Sequence, residues 1–190
     1  STMAFFNRGL ARKESGDWDG AMDDYTRAIE LDPKYVVAFN NRGNVWWEMG
    51  ELEKAIADYS KAVVLNPKHV SSLTNRALAY SELEMYELSL IDLRQAYDLQ
   101  PTGGRAYLGA KLAADAYSSL KESEPKDPEK ARLLDESFDW IEKAIQLRSQ
   151  NLLRLSTNKN FKPLHEDPRW KEVLQKIEAL KLEPKKSSRE

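Results

Sequence analysis

Apolar and polar positions recur along the N-terminal half of the chain with a fixed period. Three prolines, Pro33, Pro67 and Pro101, stand 34 residues apart. Counting back from each, the same residue types return. Five residues before the proline come Ala28, Ala62 and Ala96, and eight before it Tyr25, Tyr59 and Leu93. Twelve before it come Ala21, Ala55 and Ser89, and seventeen before it Gly16, Gly50 and Glu84. Twenty-four before it come Gly9, Gly43 and Ala77, and twenty-eight before it Phe5, Phe39 and Leu73. Within a period the apolar spacing is helical. Leu52, Ala55, Ile56, Tyr59, Ala62, Val63 and Leu65 form one stripe. Phe39, Val45 and Trp46 form another, which Arg42 and Glu48 leave. Gly50 suits a left-handed helix end and Pro67 stops the ladder. Each period therefore predicts two amphipathic helices joined by a tight turn. A lone hairpin cannot bury both its faces, so neighbours must stack.

Beyond Pro101 the pattern loosens. Arg105–Leu120 reads as a first helix, with Tyr107, Leu108, Leu112, Ala113 and Tyr117. Residues 121–129 read as a charged loop closed by Pro128 at a helix start. Lys130–Arg148 reads as the second helix. Its Ala144 lies 48 residues after Ala96 rather than 34, so about 14 residues are inserted. Longer helices or a longer loop both accommodate them. A short helical stretch is expected around Leu152–Leu155. Asp167 and Pro168 then start a last helix whose expected buried stripe is Trp170, Val173, Leu174, Ile177 and Leu180. The expected organisation is three repeats (3–34, 35–68 and 69–102), an expanded hairpin (103–149), a C-terminal cap (150–182) and a polar, disordered tail (183–190).

The pattern resembles the tetratricopeptide repeat (TPR) family. The residues that carry the likeness are Phe5 and Phe39, Gly9 and Gly43, Ala21 and Ala55, Tyr25 and Tyr59, Ala28 and Ala62, and Pro33 and Pro67. The third period is looser, with Leu73, Ala77, Ser89 and Leu93, yet keeps Tyr80, Ala96 and Pro101. The segment Phe161–Trp170 resembles one that closes bacterial arrays of the family. The resemblance implies an all-α, right-handed α-solenoid of TPR helix-turn-helix repeats. It implies a concave groove lined by the first helix of each pair. Carried over, the groove residues are Phe6, Leu10 and Lys13; Asn40, Asn41, Asn44 and Trp47; Thr74, Asn75, Leu78 and Ser81; and Arg105, Leu108 and Leu112. The expected function is a non-catalytic scaffold that holds a peptide or partner protein there. Self-assembly, or service as an accessory domain of a larger enzyme or sensor, are the alternatives.

Composition narrows the partner. Across 190 residues, 41% are hydrophobic and 32% charged, with a net charge of −2. No charge excess points to nucleic acid or an anionic membrane, and no apolar run approaches the roughly 18 residues of a membrane span. There are no cysteines, which excludes disulfides and thiolate metal sites. His69 and His165 are far apart and read as surface histidines. Asp23-Asp24 and Glu122/Glu124 read as solvated charges rather than acid/base pairs. Gly103-Gly104 lacks the Lys-Ser/Thr of a phosphate loop. No cofactor or metal is expected. Ser1-Thr2 ahead of Met3 reads as a cloning remnant. A cytoplasmic protein is expected if Met3 is the native start, and a periplasmic one if a leader was removed.

Side-chain chemistry in the groove suits a peptide. Asparagine amides both donate to and accept from an extended backbone, Trp47 and Phe6 suit apolar side chains, and Arg105 suits a carboxylate. Alanine at Asn44 or Trp47 is expected to weaken binding with little loss of stability. Some family members grip a chaperone's terminal carboxylate with two lysines, two asparagines and an arginine. Here Asn44, Asn75 and Arg105 sit at three comparable places, but Asn40 and Gly109 replace the other basic residues. One repeat earlier, only Asn41 remains, with Phe6, Leu10 and Ser71 elsewhere. The clamp is broken in either register.

Overall fold

The computed structural model describes residues 1–120 and 127–180. Among the described residues there is helix and no strand. Residues 121–126 of the expected charged loop, and the tail expected at 183–190, lie outside them. The chain divides into two compact units, Ser1–Leu99 and Gln100–Glu190.

The first unit holds six helices: α1 (Thr2–Glu14), α2 (Trp18–Leu31), α3 (Val36–Glu48), α4 (Leu52–Leu65), α5 (Val70–Glu82) and α6 (Tyr86–Leu99). They pack as the hairpins α1/α2, α3/α4 and α5/α6, and α2/α3 and α4/α5 also pack against each other. Helix-ending glycines make two of the tight turns: Gly16 and Gly50 have φ of +81° and +79°. The third turn places Glu84 at +57° without that relief. Close approach inside a hairpin depends on the other glycines. A Cβ at Gly9 would lie 2.8 Å from the Tyr25 ring, and one at Gly43 2.7 Å from the Tyr59 ring. Both rings are fully buried, each burial being worth about 2–3 kcal/mol.

Asn-Arg recurs in register as Asn7-Arg8, Asn41-Arg42 and Asn75-Arg76, and each arginine has a partner that the pattern of apolar positions does not reveal. Arg8 meets Asp24, Arg42 meets Asp58 and Arg76 meets Asp92, each through two hydrogen bonds of 2.6–2.8 Å. All three carboxylates are buried. Asp24 is therefore no solvated surface charge, contrary to the sequence expectation, although Asp23 is exposed. The Arg8 guanidinium holds the Asp24 carboxyl below the usual carboxylate range. Two of the arginines also reach back one repeat. Arg42 donates to the Thr26 hydroxyl (3.1 Å) and Arg76 to that of Ser60 (3.0 Å). The pairs thus brace helix to helix and repeat to repeat.

The second unit is built on α7 (Gly103–Ser119) and α8 (Pro128–Gln146), followed by 3-10 turns at Gln150–Arg154 and Lys159–Leu164 and by α9 (Arg169–Ala179). The inserted residues lengthen both helices, to 17 and 19 residues against 13 and 14 in the preceding hairpin. The rest fall between Ser119 and Pro128. Asp127 caps α8 by accepting from the Glu129 N–H at 2.9 Å. A run of buried alanines (Ala106, Ala110, Ala113, Ala114) lets α8 lie close, and the Trp140 ring sits directly over Gly109. The terminal segment packs on this hairpin. Phe161 and Leu164 are fully buried, and the Tyr107 ring packs 5.5 Å from that of Phe161, inclined at 60°. Asp167 accepts the Arg169 N–H at 2.9 Å, and Arg169 lies 4.1 Å over the Phe138 ring. Trp170 and Val173 form the buried edge of α9. Leu174, expected in that stripe, is 38% exposed, because the stripe is narrower than the sequence suggests.

Candidate functional site

One face of the first unit opens into a cleft of about 280 Å³ lined by Lys13, Asn44, Trp47, Glu48, Tyr59, Asn75 and Leu78. Except for Tyr59, these residues come from α1, α3 and α5, the first helix of each hairpin. That follows from the hairpin packing. The first helices turn their small residues, Gly9, Gly43 and Ala77, toward their partner helices, which leaves the opposite positions free to line a common wall.

Five of the expected groove residues meet here: Lys13, Asn44, Trp47, Asn75 and Leu78. The others are placed differently. Phe6 is buried against Tyr25 (5.8 Å) and Tyr35 (5.2 Å), so it is core rather than an open apolar platform. Leu10 packs half-buried against the same cluster. Asn41, Thr74 and Ser81 turn their side chains to carbonyls of their own helices, at Val37, Val70 and Leu78. Asn40 is buried. In the second unit Leu112 is 1% exposed and belongs to the core, while Leu108 is half-buried. Arg105 donates to the Gln100 carbonyl and side chain and lies close to the Thr102 hydroxyl. Its Nε is buried without a partner among the described residues, and burial pulls its pKa down. The guanidinium staples its own helix start rather than projecting free as a carboxylate clamp. At Gly109 the Trp140 ring leaves no room for a basic side chain.

A chain of hydrogen bonds runs beneath the cleft. Ser72 donates to the Asn40 oxygen (3.0 Å), and Asn75 donates to the oxygens of Asn40 (3.2 Å) and Asn44 (2.9 Å). Tyr59 donates to Asn44 at 2.9 Å. His69 is half-buried, with Nδ1 2.7 Å from the Ser72 oxygen, and burial lowers its pKa. Asn44 is therefore structural as well as accessible, since alanine there would strand two donors. Trp47 and Trp46 both pack half-buried against the cluster of Ala55, Tyr59 and Ala79, so alanine at Asn44 or Trp47 is expected to cost stability as well as binding. Sequence reading missed Glu48 and the Tyr59 hydroxyl. A signal existed for each: Glu14, Glu48 and Glu82 recur in register, and Asn44 with Tyr59 replaces the Leu10 with Tyr25 of the first repeat.

Family models fit the same stretch. A TPR repeat model matches residues 9–50, and tetratricopeptide repeat models match 36–69 and 70–102. The chain is a tetratricopeptide-repeat protein. Its TPR hairpins are α1/α2, α3/α4 and α5/α6. Among curated proteins none matches significantly. Among solved structures, the first TPR of Spaghetti (RPAP3), bound to the HSP90 peptide SRMEEVD, is 25% identical. That match covers 53% of this chain and 79% of that one, with a TM-score of 0.52. The TPR domain of Arabidopsis OM64 is 27% identical over 53% of this chain and 84% of its own, with a TM-score of 0.52. YrrB, described as a TPR protein with an unusual peptide-binding site, is 15% identical at a TM-score of 0.71. It covers 95% of this chain and 87% of its own, a likeness of fold. The TPR array is a protein-interaction scaffold. Among the described residues no helix is long and apolar enough to cross a membrane, and no three His, Asp or Glu side chains cluster as metal ligands.

Proposed function

We propose that this TPR protein acts without catalysis, by holding an extended peptide segment of a partner protein in the cleft between α1, α3 and α5. The observation that carries this reading is the cleft's mixed lining. Trp47 and Leu78 offer apolar contact, Lys13 and Glu48 offer charge of both signs, and the amides of Asn44 and Asn75 stand between them. Such a lining matches a backbone with alternating side chains, and the TPR structures bound to peptides point the same way. A complete carboxylate clamp is lacking, so the peptide is read along its length rather than by a free C-terminus.

The test is affinity capture with the purified chain, followed by titration of the captured partner's segments. Leu78→Arg and Lys13→Glu touch the cleft without cutting the buried bonds. Each is expected to weaken binding about tenfold, in line with anchors worth about 1–2 kcal/mol, while the melting temperature stays. Undiminished binding by both variants would move the site elsewhere.

Self-association is a second reading, and a specific feature favours it. On α6 and its start, Met85, Leu88 and Ile91 are 43%, 40% and 51% exposed. The matching positions are Asp17, Gly20 and Asp23 in the first repeat and Glu51, Lys54 and Ala57 in the second. Light scattering across concentration decides: a constant monomer mass rejects self-association.

A further inference from the structure

The hydrogen bonds under the cleft have a direction. Asn75 uses both hydrogens of its Nδ2, one to Asn40 and one to Asn44. Asn44 uses its oxygen, which also receives the Tyr59 hydroxyl. Both residues line the cleft, and the groups left without a use in this chain are the Asn44 nitrogen, a donor, and the Asn75 oxygen, an acceptor. An asparagine on an open surface turns over and offers either group. Here it cannot turn without breaking several bonds at once. The polarity is held from both ends. At one end the fully buried Tyr59 ring puts its hydroxyl on Asn44. At the other, Ser72 gives its hydrogen to Asn40 and therefore receives one from His69 Nδ1.

We propose that the chain Ser72–Asn40–Asn75–Asn44–Tyr59 fixes the donor and acceptor edges of the cleft, so that a peptide backbone is accepted in one direction only. Its carbonyl is taken by the Asn44 nitrogen and the neighbouring N–H by the Asn75 oxygen. Tyr59 and Ser72 are positioning residues in this scheme, since neither offers the peptide its own polar atom. The first repeat supplies the contrast. Its Tyr25 is equally buried, but Leu10 stands where Asn44 would be, and the Tyr25 hydroxyl has no partner among the described residues. The directional reading rests on the cleft being the peptide site proposed above.

The experiment uses the full chain and a library of short linear peptides selected against it. Selected peptides whose binding Leu78→Arg weakens about tenfold or more are resynthesised with their backbone N–H groups methylated one at a time. In the wild type, methylation at one N–H, that facing Asn75, should weaken binding about tenfold or more. In Tyr59→Phe that penalty should shrink below about threefold, with a loss of affinity for the parent peptide. Ser72→Ala should act alike, and serves if Tyr59→Phe does not fold. Tyr25→Phe, the same chemical change at the orphan hydroxyl, should leave binding and its methylation profile unchanged. Equal methylation penalties in wild type and both variants would overturn the directional scheme and leave peptide binding standing. Failure to select any Leu78-dependent peptide would overturn the peptide reading instead. Polarity is then judged on the free chain by side-chain amide exchange. Asn75 should exchange more slowly than Asn44, a difference that Tyr59→Phe erases. Equal exchange in the wild type would overturn the scheme.

Discussion

At the residue scale, two tyrosines at one register position face opposite circumstances. Tyr59 donates to Asn44, while the Tyr25 hydroxyl is buried and orphaned among the described residues. A lost buried hydrogen bond costs about 1 kcal/mol, whereas removing an unpaired polar group relieves its desolvation. Tyr59→Phe should therefore lower stability by about 1 kcal/mol, and Tyr25→Phe should hold or raise it, read as urea midpoints at constant slope. Glu84 offers a second case. It holds a left-handed conformation that Gly16 and Gly50 fill in the other repeats. Glu84→Gly should stabilise by about 0.5–1 kcal/mol, the left-handed strain exceeding glycine's entropy cost. A fall in melting temperature would mean that the Glu84 side chain contributes more than its backbone costs.

At the element scale, the arginine–aspartate pairs, with their buried carboxylates, bind each hairpin together, and Arg42 and Arg76 also tie one repeat to the next. Removing one partner leaves an uncompensated charge in a place with little water. Arg42→Met should thus cost about 3 kcal/mol, because the Asp58 side chain is only 9% exposed. Arg27→Met breaks an exposed pair with Glu30 and should stay within about 0.5 kcal/mol. Chemical denaturation of the two variants side by side measures the contrast, and similar losses would refute the bracing role. The helices themselves were legible in the sequence because period and punctuation agree: apolar stripes, glycine turns and proline stops coincide. The bracing was not. An arginine on one helix and an aspartate sixteen residues on look like solvated charges until the hairpin closes and places them face to face.

At the scale of the whole molecule, pH should act from both sides. The Asp24 and Asp167 carboxyls are held low by Arg8 and Arg169. A depressed folded pKa gives stability that is present above the unfolded value near 3.8 and lost as pH falls through the folded one. The Tyr25 phenol is pushed up by burial to about 12, from 10.0. That contribution is whole below pH 10 and is lost as pH rises toward 12. Urea midpoints should fall at both extremes. Asp24→Asn should flatten the acid limb and Tyr25→Phe the alkaline one; unchanged limbs would assign the pH dependence to other groups. By itself the sequence determined the helix pairs, their order and the family, since those depend on local periodicity that each repeat restates. The resemblance those repeats carry implied that Lys13, Asn44, Trp47, Asn75 and Leu78 share one wall, and the five line one cleft. Tertiary structure alone decided that Phe6, Asn40 and Leu112 are buried, that Arg105 is turned onto its own helix start, and that the amides of Asn40, Asn44 and Asn75 are linked. Those outcomes depend on which neighbour fills the space beside each side chain, and no count along the chain contains that distance.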